Sequence, residues 1–163
     1  TGRDKDLATK IMISEVMMMA ETVRALVYSA EQQAHQDQWG NFIPLRSPLD
    51  TSRNLFPKMY PRMVEILQLL GSSSLMATPS EADFSNEMEG DILKYFQLTH
   101  MDSRDRVGLY RLAHDIAVSG FGSRQALYER FFFGPPHLMN SVYFDLYEKD
   151  EKIARVESLL EQA

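Results

Sequence analysis

Over residues 4–35 the chain carries Met12, Val16, Met19, Val23, Leu26 and Ala30 at spacings of three and four, uninterrupted by Gly or Pro. That period belongs to a helix with one apolar face. Asp4 and Asp6 suit the positive N-terminal end of such a helix. The pattern predicts one continuous helix over 4–35, longer than about 40 Å at 1.5 Å per residue. A helix of that length belongs in a bundle, where neighbours cover its apolar face.

The remaining segments read as helices and loops. Residues 36–48 form a loop with a turn at Trp39-Gly40-Asn41, a short extended piece at Phe42-Ile43, and Pro44 and Pro48 opposing helix. Asp50, Thr51 or Ser52 can cap the next helix, which runs to Leu70 and stops at Gly71. Pro57 and Pro61 lie inside it and predict a kink, or a short helix followed by a longer one. Residues 72–86 are mostly loop, with Ser80 and Glu81-Ala82-Asp83 able to open one helical turn, and 91–97 form a short helix. Ser103 caps a helix with Val107, Tyr110, Leu112, Ile116 and Ala117 as apolar positions. Residues 137–147 present Leu138, Val142 and Leu146 on one face, and 152–161 continue as an amphipathic tail. With no internal repeat and no sustained alternation, the class is all-α, a helical bundle in one domain over 1–163.

Gly120 and Gly122 interrupt this pattern. Each costs about 1 kcal/mol relative to Ala in a helix interior, so the pair implies a break or a close backbone approach. Ser123, Arg124 and Gln125 follow, then Phe131-Phe132-Phe133 and Gly134. A broken helix turns backbone N–H groups toward an anion, and an adjacent Arg binds phosphate through its planar fork. An ordinary helix kink with a surface Arg has the same residues.

Other chemistries are poorly served. The net charge of −6 and scattered basic residues argue against a nucleic-acid surface. No apolar run is long enough for a membrane-spanning helix, and the polar start has no signal-like segment. The absence of Cys excludes disulfides, thiol nucleophiles and Cys-ligated metals within this segment, and fits a cytoplasmic protein. His35, His100, His114 and His137 lack metal-ligand spacing, so no metal site is read, and His114 suits a core or interface position. Glu81 and Asp83 fit a helix start better than a paired-carboxylate site. The Met residues suit a gap-filling core or subunit seam.

Two stretches carry a resemblance. Residues 55–84 include Leu-Phe-Pro-Lys-Met-Tyr-Pro-Arg and Ala-Thr-Pro-Ser-Glu-Ala-Asp-Phe, and residues 121–134 read Phe-Gly-Ser-Arg-Gln-Ala-Leu-Tyr-Glu-Arg-Phe-Phe-Phe-Gly. In order and spacing they resemble the C-terminal domain of the oxygenase components of 4-hydroxyphenylacetate 3-monooxygenases, over nearly the whole chain. One departure is Pro135, where the family often has Asp.

The resemblance implies a bundle like the C-terminal domain of acyl-CoA dehydrogenases, preceded by helical and β-barrel domains. It implies an enzyme that takes reduced FAD from a separate flavin reductase and hydroxylates a phenol ortho to its hydroxyl with oxygen. It also implies a homotetramer assembled through this bundle, and assigns Gly122, Ser123, Arg124 and Gln125 to FAD binding, with the Thr78-Pro79-Ser80 loop nearby. The missing initiator Met fits a piece of a longer protein. The groups that hold the phenol lie in the family's earlier domains, so this segment has no catalytic residues and is inactive alone. Two other readings stand beside this one. A flavin-dependent CoA-ester dehydratase or dehydrogenase would share the scaffold, and a purely structural bundle would serve association only.

Overall fold

The computed structural model describes residues 2–162. The first helix, α1 (Leu7–Gln32), is continuous and shorter at both ends than the pattern predicts. Asp6 starts it, its carboxylate accepting hydrogen bonds from the Thr9 N–H at 3.0 Å and the Thr9 hydroxyl at 2.8 Å. The face read from the sequence is the covered one: Ala30 is buried, and Met12, Val16, Met19, Val23 and Leu26 are half-buried. Leu7, Ile11, Met17, Met18 and Tyr28 form a second apolar surface that the described residues leave exposed.

A small antiparallel hairpin follows, β1 (His35–Gln36) and β2 (Phe42–Ile43), with His35 opposite Ile43. The Asp37 carboxylate closes its turn by accepting from the N–H groups of Trp39 and Asn41, and Gly40 takes the left-handed backbone the turn requires, φ +84°.

Helix α2 (Arg46–Gly71) is the axis of the fold, packing against α1 and the later helices α4, α5 and α6. It begins four residues before Asp50, so Asp50, Thr51 and Ser52 do not cap it; Leu45 stands at its N-terminus without a side-chain cap. Pro48 is its third residue, where an N–H has no partner in the helix anyway. Pro57 and Pro61 stay inside one helix. It ends at Gly71, as predicted, but the left-handed backbone falls on Ser72, φ 51°, and not on the glycine. Gly71 is buried with the Leu75 side chain folded onto it, where a Cβ would lie 2.5 Å from Leu75 Cγ.

Two 3₁₀ turns (Ser72–Leu75 and Glu81–Ser85) lead to α3 (Glu89–Tyr95). The second has the predicted helix start, a reciprocal cap between Ser80 and Asp83. Helix α4 (Ser103–Ala117) is capped by Asp102, not Ser103, whose hydroxyl instead donates to the Leu93 carbonyl at 2.8 Å. Phe84, Ile92 and Val107 form a small buried cluster there, with Phe96 against it. Helices α5 (Gly120–Phe131), α6 (Pro136–Leu146) and α7 (Asp150–Leu160) complete the chain.

Polar clamps lock α2 to its neighbours. Arg62 grips both carboxylate oxygens of Glu15 on α1, at 2.7 and 2.9 Å, which holds the Glu15 carboxyl below its ordinary range. The Gln68 amide donates to the Ala117 carbonyl at the end of α4, at 2.7 Å. No helix among the described residues is long and apolar enough to cross a membrane.

The buried core is small, with Ile66 its largest fully buried side chain. The accessible surface is 11877 Å², whereas a compact monomer of 18.8 kDa exposes about 8,300 Å². Helix α6 adds to the exposed apolar area. The apolar face read from the sequence, Leu138, Val142 and Leu146, is about half exposed, while Met139 and Tyr143 are the half-covered residues. Tyr143 joins Thr51 of α2 through a 2.9 Å hydroxyl pair.

Candidate functional site

The Gly120/Gly122 interruption is a junction between two helices. The N–H groups of Val118 and Ser119 both donate to the His114 carbonyl, at 2.8 and 2.9 Å, and end α4. Ser119 then starts α5. Its hydroxyl oxygen accepts from the Gly122 N–H at 3.0 Å and donates to the Asp115 carbonyl at 2.7 Å, while its carbonyl accepts from the Ser123 N–H. The break therefore falls at Val118-Ser119, just before the glycines.

The two glycines differ in purpose. A Cβ at Gly122 would lie 2.5 Å from the Asp115 carbonyl oxygen and closer still to that of Ile116. A Cβ at Gly120 meets nothing within 4 Å. The close approach expected from the sequence is real at Gly122 alone, and it seats the start of α5 on the end of α4.

The predicted anion-facing amides are only partly available. Gly122 and Ser123 spend their N–H groups on Ser119. Those of Gly120 and Phe121 find no partner among the described residues. The side chains divide in a similar way. Ser123 and Arg124 are exposed, and the Arg124 guanidinium has no hydrogen bond or ion pair among the described residues. Gln125 is half-buried and donates its amide to Glu129 at 2.6 Å.

Beyond Gln125 the aromatic run is only partly covered, with Phe131 and Phe132 about half exposed. Tyr128, Phe132 and Phe133 pack in succession, the first pair tilted and the second edge-on, with ring centres 4.9 and 4.5 Å apart. The Arg53 guanidinium sits 4.7 Å from the Phe133 ring centre. Arg53, Phe56, Tyr128, Glu129 and Phe132 line a recess of about 300 Å³ between α2 and α5. The Arg53 Nε is buried there without a partner.

The Thr78-Pro79-Ser80 loop approaches α4 from another side. Thr78 shares a recess of about 150 Å³ with His114 and Asp115, and Arg111 holds the Pro79 carbonyl at 2.9 Å. His114 is partly exposed, 3.8 Å from the Asp115 carboxylate. Asp83 is held below its ordinary range by hydrogen bonds from the Ser80 N–H and hydroxyl; its role is the cap. A larger recess, about 620 Å³, lies elsewhere, between the start of α2 and Tyr143, Tyr147 and Lys152, and contains none of the predicted site residues.

Ser119, Glu129 and Arg53 escaped the sequence reading. Ser119 had a local signal, a hydroxyl residue immediately before a helix start. Glu129 stands four residues after Gln125, the spacing of neighbours on a helix face. Arg53 meets Phe133 only in the folded chain.

Residues 1–161 match the family model described as 4-hydroxyphenylacetate 3-hydroxylase C terminal. The chain belongs to that family. A relative from Geobacillus sp. (strain PA-9), a 4-hydroxyphenylacetate 3-monooxygenase oxygenase component, is 46% identical over 84% of this chain and 28% of its own length. A solved structure of a 4-hydroxyphenylacetate 3-monooxygenase oxygenase component, complexed with FAD and 4-hydroxyphenylacetate, superimposes with a TM-score of 0.96 at 38% identity. It covers 99% of this chain and 34% of that one. The chain thus spans about a third or less of the length of these relatives. An oxygen-tolerant archaeal 4-hydroxybutyryl-CoA dehydratase from N. maritimus superimposes with a TM-score of 0.85 over 99% of this chain and 32% of that one, at 16% identity. That last likeness shows a shared helical scaffold.

Proposed function

We propose that this chain is the C-terminal bundle, a single domain over 1–163, of a two-component, FAD-dependent monooxygenase. The whole enzyme hydroxylates 4-hydroxyphenylacetate or a related phenol ortho to its hydroxyl, in the cytoplasm. Reduced FAD, delivered by a separate flavin reductase, supplies the electrons that activate oxygen. The bundle contributes to FAD binding and to assembly as a tetramer, is inactive alone, and leaves the phenol mainly to upstream domains.

The observation that carries the reading is the start of α5. Arg124, exposed and without a partner among the described residues, follows by about one helical turn Gly120 and Phe121, whose N–H groups are likewise unpartnered among the described residues. A guanidinium fork and helix N-terminal amides suit the pyrophosphate of a dinucleotide. Ser123 offers an exposed hydroxyl, and Gln125 a partly free amide. Gly122 sets where these groups stand by seating α5 on α4. Thr78 shares a recess with Asp115 of α4, whose carbonyl accepts from the Ser119 hydroxyl at the start of α5.

The assembly role rests on exposed surface. The chain exposes about 3,600 Å² more than a compact monomer of this mass, surface that upstream domains and neighbouring subunits would cover in the whole enzyme. The monooxygenase reading is favoured over a CoA-ester dehydratase by identity, 46% against 16%.

The test uses the full-length protein with reduced FAD, ¹⁸O₂ and 4-hydroxyphenylacetate or another phenol. The reading expects an ortho-diphenol carrying one labelled oxygen atom. An assembled, FAD-binding protein that labels none of a panel of phenols, yet dehydrates a hydroxyacyl-CoA, would overturn it.

A further inference from the structure

The amide of Gln125 is pinned by its neighbour on α5. Its Nε2 donates to Glu129 Oε1 at 2.6 Å, and both side chains are partly buried. An amide has an oxygen that only accepts and a nitrogen that only donates, while a carboxylate only accepts. Glu129 therefore fixes which way the Gln125 amide points. Its nitrogen faces Glu129, and its oxygen, an acceptor, has no partner among the described residues. Residues 125 and 129 are one helical turn apart, so the pair is set by α5 itself.

The geometry points to Glu129 as a positioning residue that makes Gln125 a hydrogen-bond acceptor for an N–H donor on the bound dinucleotide. This rests on the proposal that the segment contacts FAD, and it deepens that proposal by giving Gln125 a polarity. Oxidised FAD offers such a donor at two places, the N3–H of the flavin ring and the amino group of adenine. Arg124 serves oxygen acceptors and cannot replace Gln125 here, because a guanidinium accepts no hydrogen bond. A carboxylate at 129 also discourages the opposite orientation, which would turn the Gln125 carbonyl toward it. Replacing Glu129 with Lys should invert the amide by supplying a donor in its place.

The experiment is a titration of the assembled full-length protein with oxidised FAD, followed by flavin fluorescence. Gln125→Ala should weaken binding about fivefold, within the scale of one neutral hydrogen bond. Glu129→Ala should weaken it about threefold or more in the wild-type background and not at all in the Gln125→Ala background. Glu129→Lys should be at least as weak as Gln125→Ala, and Glu129→Gln, which keeps an acceptor, should retain most of the affinity. Sedimentation and helix content confirm that each variant assembles.

Two analogues identify the donor. N3-methyl FAD lacks the ring N–H, and flavin hypoxanthine dinucleotide lacks the adenine amino group. Wild type should lose about fivefold with one of them, and Gln125→Ala should lose nothing further with that same analogue. Unchanged affinity in both Arg124→Ala and Gln125→Ala would overturn the flavin contact and this inference together. A loss in Gln125→Ala with none in Glu129→Ala, losses that multiply in the double variant, or no Gln125-dependent loss with either analogue would overturn the inference alone.

Discussion

Gly122 lies so close to the Ile116 carbonyl that a side chain at residue 122 cannot be added without moving one helix. Gly120, two residues earlier, faces open space. Gly122→Ala should therefore destabilise the bundle by about 1–3 kcal/mol, the usual cost of overpacking. Gly120→Ala should be neutral or stabilising by up to about 1 kcal/mol. Urea midpoints of the two variants check this, and equal midpoints would contradict the close approach.

The outward face of α6 gives a second prediction. Leu138, Val142 and Leu146 are each about half exposed, and the described residues do not cover them. If they meet another subunit, Val142→Glu should shift the full-length protein toward smaller species in sedimentation while leaving its helix content intact. Unaltered sedimentation at micromolar concentration would remove this face from the interface.

Acid stability follows from two carboxylates. The Ser80 N–H and hydroxyl lower the Asp83 pKa from its ordinary 3.8, and the Arg62 hydrogen bonds lower that of Glu15 from 4.5. A group depressed in the folded state binds more protons when unfolded, so its contribution is present above those ordinary values and is lost as pH falls through the folded ones. Stability of the chain should fall below about pH 4.5. Asp83→Asn and Glu15→Gln should each flatten that fall, as read from urea midpoints between pH 6 and pH 3. Slopes identical to wild type would show that neither pair is coupled to folding.

The all-helical class and the covered face of α1 were legible because both depend on a period that runs for many residues. Boundaries were less so. Pro48 reads as a helix breaker but sits in a first turn, where its missing N–H costs nothing. Ser103 reads as a cap, yet Asp102 wins that role and frees the Ser103 hydroxyl for Leu93. The apolar stripe of α6 was visible, but a sequence shows that a face is apolar without showing what covers it. At the candidate site the order Gly-Ser-Arg-Gln was legible as a cluster of donors. The engagement of the Gly122 and Ser123 amides was hidden, because it depends on where Ser119 ends one helix and starts the next.

The most direct test of the central claim is Arg124, an exposed guanidinium with no partner among the described residues. Reduced FAD is titrated, without oxygen, into full-length wild type and Arg124→Ala. The account predicts a loss of about 1–3 kcal/mol in binding, the scale of a charge-assisted hydrogen bond, with helix content and assembly unchanged. Equal affinities in two properly assembled proteins would contradict it.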